Sequence, residues 1–116
     1  MSLWRRAART DSTQAEIVEA LRHYGCMVEV IRKPVDLLVG DLVTGRWYPA
    51  EVKAPKGTLR KAQEDFIDSL EGRLECPVFR SAEEAITFIH LRRGGQWHTG
   101  EAWDAAIDAA RKEGKP

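Results

Sequence analysis

Residues 34–53, PVDLLVGDLVTGRWYPAEVK, contain the pattern that decides the fold. Thr44-Gly45 is the most turn-like dipeptide of this stretch, and apolar residues dominate on both sides of it. Asp36 and Glu51 are equidistant from a point just before that dipeptide. We therefore predict one hairpin, in which an aspartate and a glutamate face each other across neighbouring strands.

The second arm of this hairpin carries a lysine beside the glutamate. Successive side chains of a strand point to opposite faces, so Glu51 and Lys53 share one face. The other face takes the apolar residues Tyr48, Ala50 and Val52. Two carboxylates at this separation suit a hard divalent cation such as Mg²⁺, and the neighbouring lysine suits an anionic substrate or a water molecule that loses its proton.

Asp36 stands among apolar neighbours, in a strand whose composition predicts burial. A solvated surface charge is a poor explanation for an acid in such a strand. The alternative to a functional role is a structural aspartate that accepts a hydrogen bond from a nearby backbone amide or turn.

The residues around the hairpin predict an α/β domain. An amphipathic helix is expected over residues 11–24, where apolar residues recur at three- and four-residue spacing before Gly25. Strands are expected over 26–31, 35–40 and 46–53, and three strands in succession make an antiparallel meander.

A helix and a fourth strand are predicted after the loop at residues 54–58. The predicted inner stripe of that helix consists of Leu59, Ala62, Phe66 and Leu70. Residues 77–80 form the strand, which we expect to be parallel to an earlier one because a helix separates them. Residues 81–84 read as a capping box that opens another helix, and residues 101–112 as the last helix.

We therefore expect a mixed central sheet flanked by helices, plus a C-terminal helical extension. The predicted parts are a basic N-terminal arm at 1–10, a core at 11–91 and the extension at 92–116. The extension packs either on the domain or on a second subunit, and the sequence leaves both open.

Two polar side chains on the predicted helices are candidates to complete a site. Glu16 lies at the edge of the buried face of the first helix; the alternative is a capping-box glutamate paired with Thr13. Gln63 lies beside the inner stripe of the second helix and could point back to the hairpin. The alternative for Gln63 is a partly exposed glutamine at the edge of that stripe.

Several basic residues are candidate phosphate contacts. They are Lys56, Arg60 and Lys61 near the second helix, and Arg5, Arg6 and Arg9 in the N-terminal arm. Positive charge at a helix start opposes the helix dipole, which favours a phosphate nearby. The alternatives are a solvated charge pair at the helix and a solvated tail at the arm.

Composition sets the class of protein. The 116 residues are 43% hydrophobic and 31% charged, which fits one domain with a modest core. Lys plus Arg and Asp plus Glu both number 18, so no global basic field favours passive DNA coating. Cys26 and Cys76 have no metal-ligand spacing, so we expect buried thiols in a cytoplasmic protein with no membrane segment.

The order helix, three strands, helix, strand, with Asp36 on the second strand and Glu51-Val52-Lys53 on the third, resembles the PD-(D/E)XK nuclease superfamily over residues 11 to about 90. The small size is most similar to phage-type, VRR-NUC-like or Holliday-junction-resolvase-like branches. The resemblance implies a restriction-endonuclease-like fold, with Glu16 and Gln63 on the helices where the superfamily carries functional residues.

Carried over to this chain, the resemblance implies a set of roles. Asp36 and Glu51 would ligate Mg²⁺ or Mn²⁺, with the Val52 carbonyl as a further ligand. Lys53 would activate water and steady the phosphate, and Glu16 would complete the acidic site. The implied activity is hydrolysis of branched or partly single-stranded DNA by an endonuclease or exonuclease that forms a homodimer. The alternatives are a non-catalytic DNA-docking or assembly module and a nuclease acting on RNA.

Overall fold

A computed structural model describes the backbone of residues 2–94 and 100–114, and the side chains of residues 12–94 and 100–113. These residues form an α/β fold with one four-stranded mixed sheet and four helices. The α/β class is confirmed, and the first six elements follow the predicted order of helix, three strands, helix and strand. In the ranges described, no helix combines the length and apolar character needed to cross a membrane.

The first helix, α1, is Ser2–His23. The predicted helix start at Asp11 is therefore wrong, because the segment before it contains no proline or glycine and is rich in helix-forming alanine and arginine. Thr13 lies inside α1, which removes the capping-box interpretation of Glu16. The side chains of Arg5, Arg6 and Arg9 lie outside the described residues, so their predicted phosphate contacts stay predictions.

Three strands form the predicted antiparallel meander: β1 (Cys26–Val30), β2 (Leu37–Asp41) and β3 (Trp47–Val52). The short strand β4 (Val78–Phe79) pairs with β3 in parallel, as the helix between them predicts. In the turn between β2 and β3, Gly45 has a φ of 76°, a conformation that costs glycine little. The predicted hairpin is confirmed.

One face of the sheet is buried against α1 and against α3 (Ala82–Arg92). Ser81 caps α3, as predicted: its Oγ accepts a hydrogen bond from the Glu84 N–H at 3.1 Å. The second bond of the predicted capping box is shifted by one residue, because Glu84 Oε1 accepts from the N–H of Arg80, the residue before the cap, at 3.1 Å. Each large apolar side chain buried here contributes about 1.5–3 kcal/mol. The largest of them are Phe79, Ile17, Leu21, Leu37, Ile86 and Ile89.

The C-terminal helix α4 (Gly100–Gly114) packs along α1. Ala106, Ile107 and Ala110 are buried in the same core, and the Trp103 ring meets the Tyr24 ring edge-on at 6.1 Å between centroids. Of the two positions that the sequence leaves open for the extension, packing on the domain is therefore the one observed. Residues 95–99, which include His98, lie outside the described residues.

The helix between β3 and β4, α2 (Lys61–Ser69), has no buried residue. The predicted inner stripe is therefore wrong as a core-facing stripe: Ala62 is exposed, and Leu59, Phe66 and Leu70 are only half-buried. The physical reason is that α2 packs closely against no other helix or strand in the described part of the chain. Spacing along α2 shows that it is amphipathic, but not what its apolar side covers.

A buried ion pair joins the end of α3 to the end of β2. The Arg93 guanidinium binds the Asp41 carboxylate at 2.9 Å, and both side chains are almost inaccessible. Arg93 also donates to the Tyr24 carbonyl at 2.7 Å, and Asp41 accepts from the Val43 N–H at 2.9 Å. Burial alone would raise the pKa of Asp41, but these hydrogen bonds outweigh burial and hold the pKa below its usual value.

We expect Arg93→Leu to lower the free energy of unfolding by about 3–5 kcal/mol, because the Asp41 carboxylate stays buried without its partner. Urea unfolding at neutral pH measures the loss. Arg92→Leu is the matched control, since the ion pair of Arg92 with Glu75 is partly exposed and such pairs contribute about 0–1 kcal/mol. Equal losses in the two variants would show that the buried pair does not hold these elements together.

Candidate active site

Asp36 and Glu51 lie together, as the hairpin predicts. Leu37 is opposite Ala50, and continuing this register by one residue sets Asp36 opposite Glu51. Asp36 lies just before β2, and its Oδ2 accepts a hydrogen bond from the Val52 N–H at 2.9 Å. The predicted register is confirmed, and Asp36 also makes the backbone hydrogen bond of its alternative, structural role.

The Glu51 carboxyl is the most unusual group of the pair. Glu51 is 0% exposed, and within the described part of the chain neither of its carboxylate oxygens has a hydrogen-bond partner. Burial, together with the neighbouring Asp36 carboxyl, raises the pKa of Glu51 to about 8. An ionised carboxylate buried in this way is costly, so the position favours either a proton or a cation.

Lys53 completes the predicted group. It directly follows β3, is half-buried, and lies close enough for its charge to lower the pKa of Glu51, against the larger effects of burial and Asp36. The Lys53 N–H donates to the Phe79 carbonyl at 3.0 Å, which extends the pairing between β3 and β4 as far as this residue. The structure therefore brings Asp36, Glu51 and Lys53 together.

The loop after Lys53 is held by Arg80, for which the sequence predicts only a place in the fourth strand. Arg80 donates from Nη1 to the Ala54 carbonyl at 3.1 Å and to the Gly57 carbonyl. The Gly57 N–H in turn donates to the Ala54 carbonyl at 2.9 Å. Arg80 is thus a positioning residue for the loop that begins at Lys53. This role of Arg80 depends on the pairing of β3 with β4 in space, so no pattern of neighbouring residues in the sequence indicates it.

The backbone of Val52 faces the acidic pair. The N–H groups of Glu51 and Lys53 donate to Pro77 and Phe79 on the β4 side. Because successive residues of a strand direct their backbone groups to opposite edges, the Val52 N–H and carbonyl face the other edge. That N–H already binds Asp36, so the Val52 carbonyl, which was predicted as a metal ligand, lies on the edge that Asp36 occupies.

Glu16 on α1 has a different acidic neighbour, Glu83 on α3. Burial raises the pKa of Glu16, and the charge of Glu83 on α3 raises it further. Among the residues described, no three His, Cys, Asp or Glu side chains are grouped closely enough to hold a metal ion. The structure therefore does not bring Glu16 into one cluster with Asp36 and Glu51, and its role as a third ligand stays a prediction.

Gln63 supports the start of its own helix. Its Oε1 accepts a hydrogen bond from the Arg60 N–H at 2.9 Å. Lys56, Arg60 and Lys61 are exposed, in the loop that follows Lys53 and at the beginning of α2. These three cations are therefore accessible to a phosphate, while the predicted reach of Gln63 toward the hairpin stays a prediction.

Both cysteines are free thiols, as predicted, but only Cys26 is buried, since Cys76 is half-buried. Burial raises the pKa of Cys26 to about 12 and that of Cys76 to about 11, and the Glu51 charge adds to the shift of Cys76. Neither thiol is therefore poised as a nucleophile at neutral pH. Cys76, the half-buried cysteine near Glu51, therefore adds an uncharged thiol to the site and not a further acid.

Mg²⁺ or Mn²⁺ suits the acidic pair on chemical grounds. Glu51 offers two buried oxygens without hydrogen-bond partners in the described structure, and the Asp36 carboxylate lies beside them. These are oxygen donors, which hard divalent cations prefer. A divalent cation would also supply the positive charge that the buried carboxylate lacks.

Two basic residues near the site were not predicted. Arg32 and Lys33 belong to the loop that leads into Asp36, and they line a groove together with Arg60 of the predicted set. The adjacent Arg-Lys pair just before Pro34 is the signal that could have indicated them. Their convergence with Arg60 is tertiary, so the sequence could indicate the charges but not the groove.

Comparison of the chain with protein-family models, with curated proteins and with solved structures finds no match.

We expect Glu51→Gln to stabilise the metal-free protein at high pH. A raised pKa means that the folded state prefers protonated Glu51, so the stability present below the unfolded pKa of 4.5 is lost as pH rises through about 8. The variant should therefore gain on the order of 3 kcal/mol over the wild type between pH 5 and pH 9. Urea unfolding in EDTA at both pH values measures this gain.

Glu29→Gln is the matched control, because Glu29 carries the same carboxyl on an exposed position of β1. Adding Mg²⁺ or Mn²⁺ at pH 9 should shrink the gain of Glu51→Gln, since the cation stabilises ionised Glu51 in the wild type. A gain that is the same for both variants, or independent of pH, would contradict the buried, unpartnered carboxyl.

Proposed function

We propose that the protein is a metal-dependent nuclease that hydrolyses DNA phosphodiester bonds. The observation that carries this proposal is the Asp36–Glu51 pair, whose buried Glu51 oxygens have no hydrogen-bond partner among the described residues and lie close to Lys53. A structural ion pair would satisfy both acids. This acidic pair lacks a compensating positive charge, which suits the binding of a metal cation. The accessible cationic loop beside it suits the binding of a phosphate.

The element order supports the same proposal. A helix, an antiparallel three-stranded meander, a helix and a strand parallel to the third strand form the arrangement that the PD-(D/E)XK resemblance implies. Within it, Asp36 lies just before the second strand, Glu51 lies near the end of the third, and Lys53 directly follows the third. A restriction-endonuclease-like fold is therefore part of the proposal.

In the proposed mechanism, Asp36, Glu51 and the Val52 carbonyl hold Mg²⁺ or Mn²⁺. When bound, the cation makes a water molecule more acidic and offsets the negative charge that develops on the phosphate. Asp36 keeps one carboxylate oxygen for this purpose, because its Oδ2 is the one that accepts from Val52. Lys53 orients the attacking water and steadies the phosphate, and its loop is fixed by Arg80.

The remaining predicted residues have supporting roles in the proposal. Glu16 would complete the acidic site from α1, and Gln63 would contribute from α2. Lys56, Arg60 and Lys61 would contact phosphates next to the cleaved bond, and Arg5, Arg6 and Arg9 would do so from the N-terminal segment.

The proposed substrate is DNA recognised by structure rather than by sequence, such as junctions, flaps or splayed arms. A domain of this size offers little surface for reading bases, so backbone and shape contacts dominate. Cutting two strands calls for two sites, which a twofold homodimer would supply.

A non-catalytic DNA-docking module is the second candidate function. The observation that favours it is the hydrogen bond from the Val52 N–H to Asp36, which already gives that acid a structural role. In addition, Glu16 does not join the other two acids in a three-acid cluster within the described residues. A module of this kind would bind DNA without cutting it.

We expect wild-type protein to cut labelled single-stranded, duplex, flap or four-way-junction DNA with Mg²⁺ or Mn²⁺ and to stop in EDTA. Lys53→Ala and Asp36→Asn should each lower the cleavage rate by on the order of a hundredfold or more while remaining folded, because Lys53→Ala removes the positive charge that steadies the phosphate and Asp36→Asn removes a carboxylate that would hold the cation. Lys112→Ala, which removes an exposed lysine on α4, is the matched control and should keep full activity.

Full cleavage by Lys53→Ala would contradict the proposed mechanism. Tight binding of one of these DNA structures without any cutting would support the docking module instead. Cutting of a matched RNA in preference to DNA would replace the proposed substrate with RNA.

A further inference from the structure

A groove lies between the loop before β2 and helix α2. Its lining residues are Arg32, Lys33, Pro34, Arg60, Ala62, Gln63 and Phe66. Its volume is about 560 Å³, within the range of roughly 300–1,000 Å³ that is typical of small-ligand sites. One or two nucleotide units fit such a space, whereas a double helix does not.

The charge of the groove is one-sided. Arg32, Lys33 and Arg60 are exposed cations, and no carboxylate belongs to the described lining. The whole chain has a formal net charge of zero, so this concentration of positive charge is local rather than part of a basic protein. A polyanion is the complementary occupant.

The rest of the lining is suited to a base rather than to a second phosphate. Phe66 lies half-buried on α2, a helix with no buried residue, and Pro34 and Ala62 add apolar surface beside it. A flat aromatic surface next to clustered cations is the usual arrangement for binding single-stranded nucleic acid, because every base has a face that can stack. In a paired duplex those faces are already stacked on one another.

The loop that carries the cations also carries the acid of the candidate active site. The Asp36 carbonyl accepts hydrogen bonds from the Ile31 N–H at 2.9 Å and from the Arg32 N–H at 3.4 Å, which closes the loop on itself. Arg32 has a φ of 73°, a left-handed conformation that costs a non-glycine residue about 1–3 kcal/mol.

We infer that this groove binds a single-stranded segment of DNA next to the acidic pair. Arg32, Lys33 and Arg60 contact its phosphates, and one base lies against Phe66 and Pro34. The placement of the strand as substrate rests on the proposed nuclease function, whereas the binding itself does not. The inference narrows the substrate to DNA with an unpaired strand beside the cleaved bond, such as a flap or splayed arm.

The test is fluorescence anisotropy in EDTA with three probes: a short oligo(dT), the same backbone with abasic sites, and a blunt duplex. Arg32→Ala/Lys33→Ala should weaken the binding of both single-stranded probes. It should also make the negative slope of log K against log salt shallower by about 1.4, since each lost phosphate contact contributes about 0.7. Phe66→Ala should weaken oligo(dT) on the order of tenfold and leave the abasic probe unchanged. Phe66→Trp should retain binding.

The matched control is Arg111→Ala/Lys112→Ala, which removes two exposed positive charges from α4. If that control weakens oligo(dT) as much as the groove variant does, or if the duplex binds as tightly as oligo(dT), the inference is overturned. If Phe66→Ala lowers the affinity for the abasic probe as much as the affinity for oligo(dT), the proposed contact between Phe66 and a base is contradicted. Tighter binding of oligo(U) would replace DNA with RNA.

These results are separable from the proposed catalysis, because all binding is measured without metal. If the groove binds DNA but the protein cuts no nucleic acid, the proposed nuclease function is overturned and the inference about the groove stands. Metal-dependent cutting of splayed DNA that is unchanged in Arg32→Ala/Lys33→Ala would overturn the groove and keep the nuclease.

Discussion

The pairing register of β2 and β3 is the constraint on which the rest of the structure depends. A slip of one residue would move Glu51 and Lys53 to the face of the sheet that α1 and α3 cover, and would move their apolar neighbours to the opposite face. Asp41 fixes the turn that sets this register: its carbonyl accepts from the Gly45 N–H at 2.8 Å, and its own N–H donates to the Arg46 carbonyl at 2.8 Å. Arg93 then holds Asp41 in place. A buried ion pair at one end of the hairpin thereby keeps the candidate site in register at the other end.

Local pattern is sufficient to predict the hairpin, the parallel fourth strand and Ser81 as the cap of α3, because each depends on neighbouring residues or on chain connectivity. It was not sufficient for the burial of α2, since spacing shows an amphipathic helix but not which surfaces remain uncovered. The Asp41–Arg93 pair joins residues 52 positions apart, and no local signal relates them. The composition of residues 2–10 is compatible with the early start of α1. The arginines of that segment instead favour the prediction of a basic arm.

The candidate site divides in the same way. Asp36, Glu51 and Lys53 follow from strand periodicity and one turn, so the sequence could predict that they meet. Whether Glu16 reaches them depends on how α1 crosses the sheet, which periodicity does not determine. The groove at Arg32 and Lys33 depends on where α2 lies against a distant loop. Residues of one supersecondary unit are thus predictable from the chain, and residues shared between units are not.

The absence of buried residues in α2 also has a consequence for cooperativity. A helix of this length is marginal in isolation, and most helical stability in proteins comes from packing. The opening free energy of α2 should therefore be well below that of global unfolding, so its amides would exchange with solvent long before those of β2 and α3. One wall of the groove is then a separate, weakly coupled folding unit, whereas the hairpin that carries the acids belongs to the most protected part of the molecule.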